Sequence, residues 1–223
     1  MLETKLRNSA TTELAIVRHG QTEFNHRGLY QGHADSALTE AGMAQARILA
    51  PRLRSLGSSP AIYCSDLGRA RHTAELLATP GFHHIREDEG LRERCWGVFE
   101  GLSGEEITER YPAARTSSGE SNPDYTPPGG ETLNELNERI VGALNRIAHN
   151  HAGERVIVVT HGGVVMAFAR YVLGVPQDAP RRFDIGNTSL SLFYRDGERD
   201  WVARFLGDVS HLEHRGHSAA GHR

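Results

Sequence analysis

Short, almost wholly apolar runs alternate along this chain with longer stretches in which apolar residues recur every three or four positions. Leu14–Val17, Ala61–Cys64, Arg155–Thr160, Ser189–Tyr194 and Trp201–Leu206 read as strands. Met43, Ala46, Leu49 or Ala50, and Leu53 share one face of a helix. Thr39 is its expected N-cap, with Leu38 and Met43 as a hydrophobic staple around it. Ser65 is expected to cap a second helix that runs to about Ala78 and stops near Pro80-Gly81. Ser103 with Glu106, and Thr132 with Glu135, form capping boxes. The first opens a short helix that Pro112 ends. The second opens a longer one whose stripe, Leu133, Leu136, Ile140, Leu144 and Ile147, reads as core alone, with Gly153 just past its end. Strands alternating with helices predict an α/β fold with a mainly parallel sheet.

The stretch Ala113–Gly130 is rich in Ser, Pro and Gly, so it reads as a surface loop inside one domain and not as a linker. Residues 1–212 are expected to form that single domain, with a lid or loop region at about 100–130 and a flexible tail at 213–223. His211, His214, His217 and His222 crowd this end of the chain among Gly, Ser, Ala and Arg. A solvated tail explains them better than a metal site, because nothing nearby would form a core around it.

Composition narrows the function. The chain has 223 residues, 38% hydrophobic and 24% charged, with a net charge of −3, as in an ordinary soluble globular protein. It lacks the strongly basic balance that nucleic-acid binding usually needs. Met1–Glu13 holds no apolar signal-peptide core, and no run is long enough to span a bilayer. A cytoplasmic protein with neither nucleic-acid nor membrane partner is the expectation, and a homodimer stays open. Cys64 and Cys95 cannot build a disulfide framework and lack metal-ligand spacing, so both read as buried reduced thiols.

In open α/β sheets ligands bind beyond the carboxyl ends of the strands. Three of the expected strands end in residues suited to phosphate. The first delivers Arg18, His19 and Gly20, followed by polar Gln21, Thr22 and Asn25. A histidine there suits a nucleophile, with Gly20 letting the chain bend and a ligand reach its N–H groups. The second delivers Ser65 and then Arg69, and the third His161, Gly162 and Gly163 directly before a helix. Each has a plainer explanation alone: Arg18 paired with a carboxylate, Arg69 or Arg71 a solvated helix charge, His161 a core histidine. Their joint placement at three strand ends favours a pocket for a tetrahedral dianion.

A longer set of motifs runs in order along the chain. Val17-Arg-His-Gly-Gln-Thr-Glu-Phe-Asn25, Gln31-Gly-His-Ala-Asp-Ser-Ala-Leu-Thr39 and Tyr63-Cys-Ser-Asp-Leu-Gly-Arg-Ala-Arg-His-Thr-Ala74 come first. Leu91-Arg-Glu93, Gly97-Val-Phe-Glu-Gly101, Pro128-Gly-Gly-Glu131, Val158-Val-Thr-His-Gly-Gly163 and Asn187-Thr-Ser189 follow. With these the chain resembles the histidine phosphatase superfamily, in the branch related to the cofactor-dependent phosphoglycerate mutases, over roughly residues 14–212.

The resemblance implies a three-layer α/β/α fold with a mostly parallel central sheet and the site at its carboxyl edge. It implies that His19 is the nucleophile and is transiently phosphorylated, and that Glu93 is the general acid. Arg18, Arg69 and His161 would surround the phosphoryl oxygens, with Asn25 and the Gly162 amide as further donors. Gln21, Thr22, Gln31, Gly32 and Trp96 are the further residues expected at the substrate, a small phosphorylated metabolite. A fixed cationic cage can do the work of a metal ion, so neither metal nor other cofactor is implied. To act as acid Glu93 must be protonated at working pH. Its neighbours alone would suggest a surface salt bridge with Arg92 or Arg94. Glu131 reads as support for the rim or as the start of the next helix. Phe24, Tyr30, Trp96 and Phe99 could line an apolar wall or belong to the core.

Members of this superfamily either release phosphate to water or return it to a bound sugar acid. The mutases carry a longer excursion between acid and second histidine, with basic residues that grip a carboxylate. Here only 68 positions separate Glu93 from His161, and Ser117–Gly130 holds no Lys or Arg. A shorter lid leaves a phosphohistidine open to water, which favours a phosphatase over a mutase. A silent, phospho-ligand-binding member would usually lack the nucleophile, the acid or a cage arginine, and all are present.

Overall fold

The structure, a computed structural model, describes residues 11–57, 59, 61–78, 84–112, 122–197 and 199–213. Six strands, β1 (Thr11–Arg18), β2 (Ile62–Cys64), β3 (Ile85–Glu87), β4 (Arg155–Thr160), β5 (Leu190–Asp196) and β6 (Val202–Asp208), form one sheet in the order β3-β2-β4-β1-β5-β6. The β3–β2, β2–β4 and β4–β1 pairs are parallel, whereas β5 runs antiparallel to both β1 and β6. The sheet is therefore mixed, with β5 alone reversed, and helices cover both faces.

Strand alternation assigns each residue its face. Leu14, Ile16, Val156, Val158 and Phe193 pack with Leu136, Ile140, Leu144, Val164 and Phe168 on one side. Ala15, Val17, Ile157, Val159, Leu190 and Leu192 pack with Leu49, Leu53, Ala70, Ala74 and Leu77 on the other. Burial on both faces is why the strands read as continuous apolar runs.

The helices are α1 (Glu23–Arg27), α2 (Glu40–Ser55), α3 (Gly68–Leu77), α4 (Gly104–Arg110), α5 (Leu133–Asn150), α6 (Gly162–Leu173) and α7 (Ser210–Glu213). Thr39 caps α2, its Oγ1 accepting the Gly42 N–H at 3.0 Å. Both expected capping boxes form, at α4 and α5, and α4 stops before Pro112. Thr22 with Asn25 makes a third at α1.

Several expectations need correction. Ser65 does not cap α3: the N-cap is Leu67, and the Ser65 hydroxyl accepts the Leu67 N–H within the preceding turn. Pro80-Gly81, the tail from residue 214 and residues 113–121 of the expected loop lie outside the described residues. Cys64 is buried but Cys95 is only half-buried, since it sits on the irregular segment beside the site and not in a strand. β3 went unpredicted because Ile85-Arg86-Glu87 is a short edge strand with no apolar repeat. No helix among the described residues is long and apolar enough to cross a membrane.

Candidate active site

β4 lies between β1 and β2, so three parallel strands end side by side. The His19 N–H donates to the Thr160 carbonyl at 2.8 Å and the Ser65 N–H to the Val159 carbonyl at 3.0 Å. The His19 and His161 rings consequently meet edge to face, 5.2 Å between centroids. The His19 carbonyl is held from a second direction by the Thr188 N–H and Asn187 Nδ2, at 3.2 and 3.1 Å. Thr188 holds this position at φ 55°, a strained conformation for a non-glycine residue.

Gly20 has a different role from the one expected. Its N–H is taken by Thr73 Oγ1 at 3.0 Å and does not face a ligand. Its missing side chain instead lets the first turn of α2 approach, because a Cβ there would lie 2.6 Å from the Gly42 carbonyl oxygen.

His19 Nδ1 faces the Gly20 carbonyl at 2.7 Å. A carbonyl only accepts, so Nδ1 carries the proton and Nε2 is left with its lone pair for chemistry. Burial, with Arg69 and Arg18 nearby, holds the His19 pKa well below the usual histidine range. The ring is neutral at physiological pH, the state a nucleophile needs.

Around it lie buried polar atoms with no hydrogen-bond partner among the described residues. Arg18 Nε, Arg69 Nε and both ring nitrogens of His161 are buried and unbonded. The remaining guanidinium nitrogens fix each arginine in place. Arg18 Nη1 donates to the Ile185 carbonyl at 2.6 Å. Arg69 donates to the carbonyls of Gly32 and Ala34 at 2.7 and 3.0 Å, and reaches Asp35 at 3.4 Å. Burial brings Arg18 down to about 10, partly offset by Glu93, so it stays charged at neutral pH. His161 is likewise held far below its usual range, by burial first and then by Arg69, His19 and Arg18. Arg71, by contrast, is the exposed arginine of α3, paired with Glu75 and Glu87.

An unsatisfied buried donor costs about 1–3 kcal/mol, and three are gathered here, the two arginine Nε–H groups and the single N–H of neutral His161. A dianion would satisfy them together. Inorganic phosphate is therefore expected to raise the melting temperature, by an amount equivalent to about 2.7 kcal/mol at a hundredfold excess over its Kd. Thermal unfolding at increasing phosphate checks this, with an equal concentration of chloride as control.

Glu93 enters from the irregular segment after a 3-10 turn at Glu89–Leu91. Its carboxylate accepts the Gly163 N–H at 3.0 Å, at the start of α6, and the Arg94 N–H at 2.8 Å. A Cβ on Gly163 would overlap Glu93 Oε1, so glycine there lets the carboxylate reach the helix N-terminus. The surface salt bridge does not form; Arg92 pairs with Asp66 instead.

A cavity of about 750 Å³ lies beside these groups, lined by Arg18, Gln21, Asn25, Glu93, Trp96 and Gly162 among others; the buried His19, Arg69 and His161 lie behind its lining. Asn25 Oδ1 accepts from the Thr22 N–H at 3.2 Å and from Asn187 Nδ2 at 3.1 Å, which leaves its own Nδ2 as the donor. Thr22, Gln31 and Gly32 lie behind the wall: the Thr22 hydroxyl donates to Gln31 Oε1 at 3.0 Å, and Gly32 gives its carbonyl to Arg69. Trp96 lines the cavity beneath the Arg94 guanidinium, with Tyr30 against its edge, whereas Phe99 is core.

Sequence reasoning missed much of the wall. Leu133 and Leu136, read as core alone, also line the cavity, with Leu29, Met166 and Ile185. Arg27, Arg94, Arg170 and Arg181 line it too, Arg181 paired with Asp184, and among the described residues Glu93 is the carboxylate of the lining. No local signal marks them, because each sits on a different element. Among the described residues no group of three or more His, Cys, Asp or Glu could hold a metal ion.

These features gather two neutral histidines and two buried arginines at the carboxyl edge of an α/β sheet. The chain belongs to the histidine phosphatase superfamily (branch 1), whose family model matches residues 14–208. It is 39% identical to phosphoglycerate mutase-like protein 4 of Arabidopsis thaliana over 94% of this chain and 90% of that one. It is also 39% identical to a metal-independent phosphoserine phosphatase of Arabidopsis thaliana, over 92% and 84% of the two chains. Among solved structures, Bacillus stearothermophilus YhfR superposes with a TM-score of 0.82 at 33% identity, covering 90% of this chain and 99% of that one. The chain is a phosphomonoesterase of the histidine phosphatase type.

Proposed function

We propose that this phosphomonoesterase works through a phosphohistidine at His19, with Glu93 as proton donor, on a small phosphorylated metabolite. The observation that carries the reading is the set of unbonded buried donors on Arg18, Arg69 and His161 beside a neutral His19. His19 Nε2 attacks phosphorus in line, the ester P–O bond breaks, and Glu93 gives its proton to the departing alkoxide. Throughout, Nδ1–H stays on the Gly20 carbonyl, so the phosphorylated ring is cationic and a good leaving group. Water then attacks phosphorus while Glu93 takes its proton, the N–P bond breaks, and phosphate leaves with neutral His19 restored. The arginines and His161 stabilise charge on the transferring group, the main requirement of phosphoryl transfer. No metal ion takes part.

The arginine-rich wall suits an alcohol that carries a second anionic group, and the phosphoserine phosphatase relative points the same way. That wall would also serve a mutase, supplying the grip that Ser117–Gly130 lacks. Phosphate release from 3-phosphoglycerate, phosphoserine and an aryl phosphate in excess EDTA tests the reading, with 2-phosphoglycerate formation followed in parallel. EDTA-resistant hydrolysis exceeding isomerisation is expected. Isomerisation exceeding hydrolysis, or hydrolysis abolished by EDTA, would contradict it.

A further inference from the structure

Glu93 stands on a segment that no sheet ladder or helix supports: residues 92–96 run between two 3-10 turns, Glu89–Leu91 and Gly97–Phe99. A proton donor must nonetheless hold its place to within a fraction of an ångström. The support comes from α5. Arg139 reaches across from that helix and spends all five of its N–H groups there. Nε and Nη2 meet the Glu131 carboxylate at 2.9 and 2.8 Å. Nη1 donates to the Gly90 and Arg92 carbonyls at 3.1 and 2.9 Å, and Nη2 to the Glu93 carbonyl at 3.3 Å. Glu131 closes the clamp, accepting the Cys95 N–H at 3.2 Å, while its own N–H donates to the Cys95 carbonyl at 3.0 Å. His33 Nε2 donates to the same Glu93 carbonyl at 3.0 Å.

Neither Arg139 nor Glu131 lines the cavity. We propose that the Arg139–Glu131 pair is the positioning device for Glu93: a planar, five-donor fork that fixes the backbone of residues 90–95 so that the carboxyl group meets the leaving oxygen. The proposal rests on the reading of Glu93 as proton donor. A lysine could keep the charge opposite Glu131, but its three donors could not serve three carbonyls and both carboxylate oxygens at once.

Leaving-group dependence tests it. An alkoxide needs a proton to depart and a nitrophenolate does not, so loss or displacement of the acid lowers kcat/KM for an alkyl phosphate far more than for an aryl one. The alkyl-to-aryl ratio also cancels any fraction of unfolded enzyme, because both esters report the same active molecules. Glu93→Gln should lower the ratio by roughly 10²- to 10⁴-fold. Arg139→Met should lower it by roughly 10- to 100-fold, with Arg139→Lys between Arg139→Met and wild type. A ratio unchanged in Arg139→Met but lowered in Glu93→Gln would overturn the positioning role, even if Arg139→Met were much less stable. A ratio unchanged in Glu93→Gln would remove the proton-donor reading, and the positioning role with it.

Discussion

His19→Ala should lose on the order of 10⁴-fold or more in turnover, as expected when a covalent nucleophile is removed. The size follows from what remains. Arg18, Arg69 and His161 would still bind the phosphoryl group, but attack would fall to water, because the His19 nitrogen that forms the intermediate is gone. The same remainder gives the variant its diagnostic property. Its cage keeps the buried donors on Arg18 and Arg69, each arginine held by backbone carbonyls that His19 does not touch. Phosphate should therefore still raise its melting temperature. The ring makes one side-chain hydrogen bond, to Gly20, so the fold should survive its loss. A variant without turnover that still binds phosphate separates chemistry from binding, and calorimetry with activity assays on one preparation reads both.

Arg69→Met should fall by on the order of 10³-fold in turnover, the scale seen when a phosphoryl-stabilising arginine is removed, and here phosphate stabilisation should go with it. Methionine keeps the apolar stem but removes the charge and the Nε–H that points at the site. The residue is 1% exposed, so no solvent ion can replace it. A cost in stability accompanies this, because the Gly32 and Ala34 carbonyls lose their partner, at about 1–3 kcal/mol for each buried group left unpaired. The urea midpoint should fall, yet the loss of activity should persist under conditions where the variant is fully folded. Phosphate stabilisation retained in Arg69→Met would remove this arginine from the cage.

The contrast between these residues shows how far the sequence could be read. Arg18, His19, Arg69 and His161 were legible because each follows an apolar run, and a strand end in a parallel sheet has a fixed address. The structure duly brings His19 and His161 ring to ring. The helix starts at Thr39, Ser103 and Thr132 were legible because capping is local chemistry. Ser65 failed by the same rule: its hydroxyl closes a turn two residues early and leaves Leu67 to start α3.

Glu93 was reachable only through the resemblance, since flanking arginines make any glutamate look like a surface ion. Its partners are the backbone N–H groups of Gly163 and Arg94, the first of them 70 positions away. Long-range pairing of this kind leaves no periodic trace. The same holds for Arg139, for the arginines of the wall, and for Leu133 and Leu136, where one apolar stripe serves both core and cavity. Gly20 was legible as a necessity but not as a cause: the need comes from Gly42, on a helix whose approach the sequence does not announce.

The proposed mechanism requires a covalent bond between His19 Nε2 and phosphorus. It is tested most directly by mixing enzyme with an aryl phosphate, quenching rapidly in alkali, where phosphohistidine survives, and mapping peptides by mass spectrometry. One added phosphoryl group is expected on the peptide containing His19, formed within the first turnover, lost on further incubation and absent in His19→Ala. Full turnover with no phosphoryl adduct at any time, or an adduct on another residue, would contradict it.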